Sequence, residues 1–132
     1  MTKIAFDIKY DEQIILKTKF DSIYNTLQIP DNKEECIIWG SMTKYARISY
    51  FSISSKKRSY FYCYNLIYFF NFGKYLKKEG NISYEISHLC HNKGCVNLNH
   101  LTRESKSLNE LRKKCSKKGV CTNNHKPRCI FK

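Results

Sequence analysis

Apolar residues recur every three or four positions between residues 11 and 28, as on one face of an α-helix, and charged residues fall on the other faces. Asp11 is suited to cap the start of this helix, and the turn-forming sequence Pro30-Asp31-Asn32 would end it. We therefore predict an amphipathic packing helix that carries no chemistry of its own. Its apolar face would be formed by Leu16, Phe20, Ile23, Tyr24 and Leu27.

Strand-like patterns follow this helix. Residues 36–40 form a short apolar run, which predicts a buried strand. Residues 44–54 and 57–64 interleave polar and apolar positions, and they predict a β-ribbon with a basic turn at residues 54–57. The aromatic and aliphatic run at residues 64–70 is better explained as a buried helix, which would end at Gly73.

The last regular elements surround a turn-rich loop. Residues 82–88 predict the first strand of a hairpin that leads into this loop. The sequence Thr102-Arg103-Glu104-Ser105 predicts the start of a helix that runs to about Lys114, with an apolar stripe of Leu101, Leu108 and Leu111. The whole pattern is that of an α+β fold.

The length of 132 residues favours a single domain. We divide it into an N-terminal packing helix (1–35), a basic ribbon and helix (36–78), a candidate metal site (79–114) and a second cysteine-rich knot (115–132). No apolar run approaches the roughly 20 residues of a transmembrane helix, and the N-terminus lacks the apolar middle of a signal peptide. We expect an intracellular, reducing compartment, nuclear or cytoplasmic, where seven cysteines favour metal binding over disulfides.

Positive charge is segregated along the chain. Net charge is +13 overall, but residues 36–78 and 111–132 carry +8 each and contain no acidic residue. Residues 1–35 carry −2 and residues 79–110 carry −1. A charge excess can serve solubility alone, but segregation on this scale favours binding to a polyanion, most often nucleic acid.

The near-neutral block holds the first candidate metal site. Cys90, Cys95 and His100 are each five residues from the next, and such turn-rich spacing suits tetrahedral zinc. Cys36 either supplies a fourth ligand or is an ordinary core cysteine. In an extended segment, His88 would point the same way as Cys90 but one step further along. Its imidazole would then lie beside the zinc site rather than inside it, as suits a general base.

The second candidate site lies in the basic C-terminal segment. Four ligands follow in order at loop-compatible spacing: Cys115, Cys121, His125 and Cys129. This lysine-rich segment has few apolar side chains, so bound zinc would supply most of its folding free energy. A cross-braced arrangement of all eight ligands is the alternative, and the absence of Cys-x-x-Cys pairs disfavours it.

Residues 87–101 read Ser-His-Leu-Cys-His-Asn-x-x-Cys-x-Asn-x-x-His-Leu, and a helical asparagine and the second cluster follow. This arrangement resembles the His-Cys box homing endonucleases, which belong to the ββα-metal (HNH-like, His-Me finger) nucleases. The resemblance is close over residues 87–129 and looser from Cys36 onward, and Leu98 stands where the family usually has proline. It implies a ββα-metal core with an antiparallel β-ribbon, stapled by two structural zinc ions. It also implies that Cys36 closes the first zinc site.

The resemblance also implies catalytic roles. His88 would be the general base, and Asn109 would be the one protein ligand of a catalytic Mg²⁺ or other divalent ion. Arg58 would be the cation near the transition state, with Arg47 as its competitor. His91 and Asn92 belong to the motif, but we assign neither a catalytic role, and we expect His91 to point away from the direction of Cys90.

The ribbon supplies the candidate nucleic-acid contacts. A twisted two-stranded ribbon fits the major groove of B-DNA, where basic side chains reach phosphates and guanine edges. A solvated hairpin rim is the alternative reading of the same pattern. The candidate contacts are Lys44, Arg47, Lys56, Lys57 and Arg58.

The sequence as a whole predicts a Mg²⁺-dependent DNA endonuclease acting on double-stranded DNA. The alternatives are a catalytically silent, zinc-stabilised DNA-binding regulator and a zinc-dependent protein-interaction module. Family members commonly form homodimers through an exchanged C-terminal tail. The sequence ends three residues after Cys129, so dimerisation is left open.

Overall fold

A computed structural model describes residues 5–121, 125 and 127–130, arranged as antiparallel sheets and three α-helices. The elements are β1 (Ala5–Phe6), α1 (Tyr10–Tyr24), β2 (Arg47–Ser52), β3 (Lys57–Tyr62), α2 (Cys63–Phe72), β4 (Tyr75–Leu76), β5 (Lys78–Glu79), β6 (Ile82–His88), a 3₁₀ turn (Leu98–His100), β7 (Leu101–Ser105) and α3 (Lys106–Lys118). β1 pairs with β4, β2 pairs with β3, and β5, β6 and β7 form one sheet in that order. No helix in this part of the chain is long and apolar enough to cross a membrane.

The predicted N-terminal helix forms as α1, with its bounds shifted. It begins at Tyr10 rather than after Asp11, because the carbonyl of Lys9 accepts the first backbone hydrogen bonds. It ends at Tyr24, before the predicted proline signal. Leu16 and Phe20 are buried as predicted and pack in the main apolar core with Trp39 and α2, but Ile23 is 41% exposed. The helix thus covers the core with a narrower stripe than the sequence indicated.

The predicted strand at residues 36–40 is wrong. This segment makes only an isolated bridge between Ile38 and Cys95, with flanking backbone hydrogen bonds from Trp39 to Gly94 and from Val96 to Ile37. It therefore docks the turn-rich loop onto the core instead of joining a sheet. Gly94 is required at this contact, because a Cβ there would collide with the carbonyl of Ser41.

The predicted β-ribbon is confirmed as the antiparallel pair β2–β3. Arg47 lies opposite Tyr62, and Ser52 lies opposite Lys57 at the turn. Alternation buries one face of β2 and exposes the other. Buried Ile48 and Tyr50 join the core, so the ribbon is held from behind and presents its opposite face to solvent.

The hairpin β6–β7 and the helix α3 form the ββα unit around the candidate site. The prediction that residues 102–105 open a helix is wrong, because these residues pair with β6 as strand β7. The helix begins only at Lys106, after this strand, and its N-cap Ser105 accepts a hydrogen bond from the amide of Leu108. Leu101 is therefore a strand residue of the core rather than part of a helical stripe. The buried positions of α3 are Arg112 and Cys115.

Arg112 makes a buried ion pair that joins β7 to α3. Its guanidinium donates to both carboxylate oxygens of Glu104, at 2.9 and 2.7 Å, and both side chains are less than 5% exposed. Both charges are thus withdrawn from water, and each depends on the other for compensation.

Replacing Arg112 with methionine is expected to lower the free energy of unfolding by about 3–5 kcal/mol, because the Glu104 carboxylate is left buried without a partner. Urea denaturation followed by circular dichroism measures this. The matched control is Lys17→Met, which removes the exposed pair between Lys17 and Asp21 and is expected to cost about 0–1 kcal/mol. Equal losses in the two variants would contradict the burial argument.

Candidate functional site

Cys36, Cys90, Cys95 and His100 converge in one cluster, with one ligand atom of each residue within 4.8 Å of the others. The imidazole Nδ1 of His100 lies 3.4 Å from the sulfur of Cys36 and 3.5 Å from that of Cys95. Around tetrahedral zinc, bond lengths of about 2.3 Å to sulfur and about 2.0 Å to nitrogen place those two atoms roughly 3.5 Å apart. The cluster therefore fits a zinc ion without rearrangement.

Neighbouring polar groups orient the ligands of this cluster. The Nε2–H of His100 donates to the carbonyl of Glu34 at 2.7 Å, which leaves Nδ1 to face the sulfurs. The side-chain amide of Asn92 donates to the sulfur of Cys36 at 3.1 Å, and the backbone amide of Asn97 donates to that of Cys95 at 3.5 Å. Such outer contacts are typical of metal centres and hold the ligands in position.

Cys115, Cys121, His125 and Cys129 form the second cluster, also within 4.8 Å of one another. Here Nε2 of His125 faces the sulfurs, at 3.2 Å from Cys115 and 3.6 Å from Cys129. Its Nδ1–H donates to the carbonyl of Pro127 at 2.9 Å. This geometry also matches tetrahedral zinc.

The two clusters are joined to each other through the ββα unit. The backbone amide of Ile130 donates to the carbonyl of Leu89, beside the first cluster, at 2.7 Å. Arg112, already bound to Glu104, also reaches the sulfur of Cys129 at 3.6 Å. The second cluster therefore pins the chain after α3 against the loop that follows β6.

His88 lies at the end of β6, outside the four residues of the first cluster. Its Nε2 lies 3.0 Å from the carbonyl oxygen of Cys95, and a carbonyl can only accept, so Nε2 carries the proton. Nδ1 is then the basic nitrogen of the neutral ring. Burial lowers the pKa of His88 below its usual value, which favours the neutral form near pH 7.

Asn109, on the first turns of α3, lines the same cavity of about 520 Å³ as His88. Its side-chain nitrogen donates to a carboxylate oxygen of Glu85 on β6. Because an ionised carboxylate only accepts, this contact fixes which end of the amide is oxygen. Lys93, Lys113 and Lys117 also line this cavity. The structure thus unites a basic nitrogen, an oriented amide oxygen and positive charge.

The two arginine candidates occupy different parts of the ribbon. Arg58 is exposed near the turn, opposite Phe51, and is not among the described residues that line the His88 cavity. Arg47 lies at the other end, opposite Tyr62, with its guanidinium 4.6 Å from the ring centre of Tyr60. At about 3.3 Å per residue, Arg58 is roughly 13 Å along the strand from Tyr62. The role of either arginine as a transition-state cation remains a prediction.

The other predicted DNA contacts are exposed and lie around the ribbon. Lys44 precedes β2, and Lys56 occupies the turn with a left-handed backbone, at a φ of 55°. Lys57 is exposed at the turn end of the ribbon, opposite Ser52. Together with Arg47 and Arg58 they give the ribbon and its turn a positive surface.

Sequence reasoning missed three residues around the site. Glu85 contacts Asn109, and Tyr64 places its ring centre 4.7 Å from that of His88. His91 lines the His88 cavity, because a φ of 64° breaks the strand alternation expected after Cys90. The sequence offers one signal, for Glu85, because alternation along β6 puts it on the same side as Ser87, which lines the His88 cavity. The positions of Tyr64 and His91 depend on how α2 and the loop pack.

The family comparison agrees with this geometry. A family model described as the zinc-binding loop region of homing endonuclease matches residues 35–132, about three quarters of the chain. No curated protein and no solved structure matches the chain. The matched region contains both clusters, His88 and Asn109, and its α+β architecture is that of a ββα-metal (His-Me finger) nuclease. The chain therefore belongs to the homing endonuclease family defined by this zinc-binding loop, which indicates a nuclease-like, DNA-binding function.

Proposed function

We propose that this protein is a Mg²⁺-dependent DNA endonuclease that hydrolyses phosphodiester bonds in double-stranded DNA. The observation that carries the proposal is the pairing of two oriented groups in one cavity. Cys95 holds the proton on Nε2 of His88, and Glu85 holds the amide of Asn109. A catalytically silent DNA-binding protein needs neither orientation.

His88 acts as the general base in this proposal. Its Nδ1 takes a proton from a water molecule, and the water oxygen attacks phosphorus while the bond from phosphorus to the 3′ oxygen breaks. The Cys95 carbonyl stabilises the imidazolium that forms, because it accepts the Nε2–H throughout. The low pKa of the buried ring keeps it available as a base at neutral pH.

Asn109 provides the oxygen that would hold the divalent ion. Mg²⁺ prefers oxygen ligands and usually keeps several waters, so one amide oxygen together with phosphate oxygens suffices. When bound, the ion supplies positive charge that stabilises the phosphate and the leaving 3′ oxygen. Lys93, within the motif, and Lys113, on α3, line the same cavity and attract the phosphate.

The two zinc clusters have a structural role in the proposal. All four ligands of each cluster come from the protein, so neither leaves an open position for substrate. The first cluster fixes the loop whose Cys95 carbonyl orients His88. The second holds the end of α3, the helix that carries Asn109.

The exposed face of the ribbon is the proposed duplex-binding surface. Arg47 and Arg58 project from it, and Lys44, Lys56 and Lys57 surround it. A twisted ribbon of this kind enters the major groove, and the basic side chains bind phosphates on either side. Arg58 remains the family-derived candidate for the transition-state cation, with Arg47 as the alternative.

Glu85 is expected to act as a positioning residue for Asn109. Replacing Glu85 with leucine frees the amide to rotate, so the Mg²⁺ concentration for half-maximal nicking should rise about 10- to 100-fold, as when outer-shell partners of metal ligands are removed. Titrating Mg²⁺ in a plasmid-nicking assay measures this shift. Glu110→Leu is the matched control, since Glu110 follows Asn109 on the same helix but pairs with exposed Lys113. A Glu85→Leu variant with the native Mg²⁺ dependence would remove Glu85 from this role.

Relaxation of supercoiled plasmid tests the proposed function. The zinc-loaded protein is incubated with plasmid in the presence of Mg²⁺ and, in parallel, without any divalent ion beyond its own zinc. Nicking that requires Mg²⁺ supports the proposal. DNA binding without nicking under both conditions would overturn it in favour of the regulator, and no DNA binding at all would favour the protein-interaction module.

A further inference from the structure

A second cleft lies next to the His88 cavity, and Glu85 is the one residue lining it to which the proposed mechanism gives a role. It has a volume of about 720 Å³ and lies between strand β3 of the ribbon and strands β5 and β6. Five tyrosines line it: Tyr60, Tyr62, Tyr64, Tyr75 and Tyr84.

Two of these tyrosines make cation–π contacts with arginines. The guanidinium of Arg47 lies 4.6 Å from the ring centre of Tyr60, and that of Arg103 lies 4.0 Å from the ring centre of Tyr84. Tyr60 nevertheless stays 47% exposed. Each guanidinium is attracted to one face of its ring, so a base would stack on the part of Tyr60 that stays exposed.

The charge of the cleft suits a nucleotide. The cleft is lined by three lysines, Lys77, Lys78 and Lys106. Among the described residues, Glu85 is the only acidic one that lines it, and its carboxylate accepts a hydrogen bond from Asn109. Aromatic rings combined with lysines are the usual means of binding single-stranded nucleic acid, in which bases stack on the rings and phosphates meet the cations.

The cleft is continuous with the proposed active site through two residues. Glu85 lines the cleft and contacts Asn109, which lines the His88 cavity. Tyr64 lines the cleft and lies against the ring of His88, with 4.7 Å between ring centres. A nucleotide in the cleft would therefore neighbour a phosphate placed between His88 and Asn109.

We propose that this cleft binds an unstacked nucleotide next to the scissile phosphate, so that the protein prefers DNA with unpaired bases over a continuous duplex. Bases inside a duplex cover each other's faces and offer only their edges, whereas an unpaired base can leave the stack and lie on a tyrosine. The inference rests on the proposed function for the position of the cut, but binding in the cleft is measurable without cleavage.

The test compares two DNAs that share one strand, which contains 2-aminopurine at its centre. In one DNA the second strand is fully complementary, and in the other it is mismatched at the centre, so that a short bubble forms around the 2-aminopurine. Both are titrated with the zinc-loaded protein in the absence of Mg²⁺, and fluorescence anisotropy reports affinity. We expect tighter binding to the bubble and quenching of the 2-aminopurine, which reports stacking on a ring. Equal affinity for the two DNAs without quenching would overturn the inference.

Variants separate stacking from a structural role of the tyrosines. Tyr60→Leu should reduce the bubble preference by about 5- to 150-fold, the range expected for loss of one base-stacking ring. Tyr60→Phe keeps the ring and should keep the preference. Tyr10→Leu alters a tyrosine on α1 that is 79% exposed and outside the cleft, so it should also keep it. An unchanged preference in Tyr60→Leu would likewise overturn the inference.

The cleft proposal and the nuclease proposal can fail independently of each other. Mg²⁺-dependent nicking with no preference for the bubble leaves the nuclease proposal standing and overturns the cleft. A bubble preference with quenching, but no nicking, supports the cleft as a nucleotide site and overturns the nuclease proposal.

Discussion

Replacing His88 with glutamine is expected to slow Mg²⁺-dependent nicking by about 10²- to 10⁴-fold, the usual contribution of a general base. Glutamine keeps an N–H that can donate to the Cys95 carbonyl, but its amide is not a base at neutral pH. The loop should therefore stay in place while proton transfer is lost. Initial rates on supercoiled plasmid at saturating Mg²⁺ measure the effect.

The variant His88→Ala is expected to lose stability as well as activity. It should lose as much activity as His88→Gln, and in addition about 1–3 kcal/mol of stability, because the buried Cys95 carbonyl loses its donor. Zinc content and DNA affinity, measured on both variants, should match those of the native protein. A glutamine variant that nicks at the native rate would show that another group activates the water, and His91 in the same cavity would be the first to examine.

The sequence predicts which residues meet at this site better than it predicts the fold around them. His88, the last three ligands of the first cluster and all four of the second follow from residue type and spacing, because a metal site imposes short intervals on ligands from one loop. Cys36 and Asn109 are indicated only by the family resemblance. The structure brings each set together. The spacing of ligands within one loop is set by the metal, so it can be recognised without knowing how the other elements pack.

The errors occur where tertiary contacts override local signals. Residues 102–105 contain two residues that favour helix N-caps, Thr102 and Ser105, yet pairing with β6 makes them a strand and leaves only Ser105 as the cap. Arg112 looks like a solvent-facing helical residue in a run of lysines. It is fully buried because Glu104 on β7 faces it, and a contact between those two elements cannot be read from periodicity.

Glu85 shows the same limit at the site itself. Alternation along β6 places it on the same side as Ser87, but its contact with Asn109 depends on where α3 crosses the sheet. The crossing is fixed by Arg112 and by the second cluster at the end of α3. The partner that orients the Asn109 amide is thus positioned by elements more than twenty residues away in sequence.

Replacing Cys95 with serine is expected to have the largest effect on folding. Cys95 is fully buried in the first cluster, and serine is a poor ligand for zinc. Structural zinc contributes on the order of 10–16 kcal/mol in small peptides, which is as large as the whole stability of an ordinary domain, about 5–15 kcal/mol. We therefore expect the variant to bind one zinc ion instead of two, to lose the cooperative unfolding transition of the site region and to lose nicking.

Native mass spectrometry counts the zinc ions, and circular dichroism during heating follows unfolding. Cys63→Ala is the matched control, because Cys63 is equally buried but belongs to neither cluster, and burial raises the pKa of its thiol to about 12. It should keep two zinc ions and full Mg²⁺-dependent nicking, with only the modest loss of a small core side chain.

The comparison of the two cysteine variants isolates the metal from core packing. Cys95 supplies its sulfur to the cluster, while its backbone contacts His88 and bridges to Ile38. Serine removes only the sulfur, so His88 and the docked segment are disturbed through the loss of the metal that holds the loop. Cys63 contributes only apolar volume. If Cys95→Ser still bound two zinc ions and unfolded at the native temperature, the first cluster would not be a zinc site. The orientation of His88 would then require another source of rigidity.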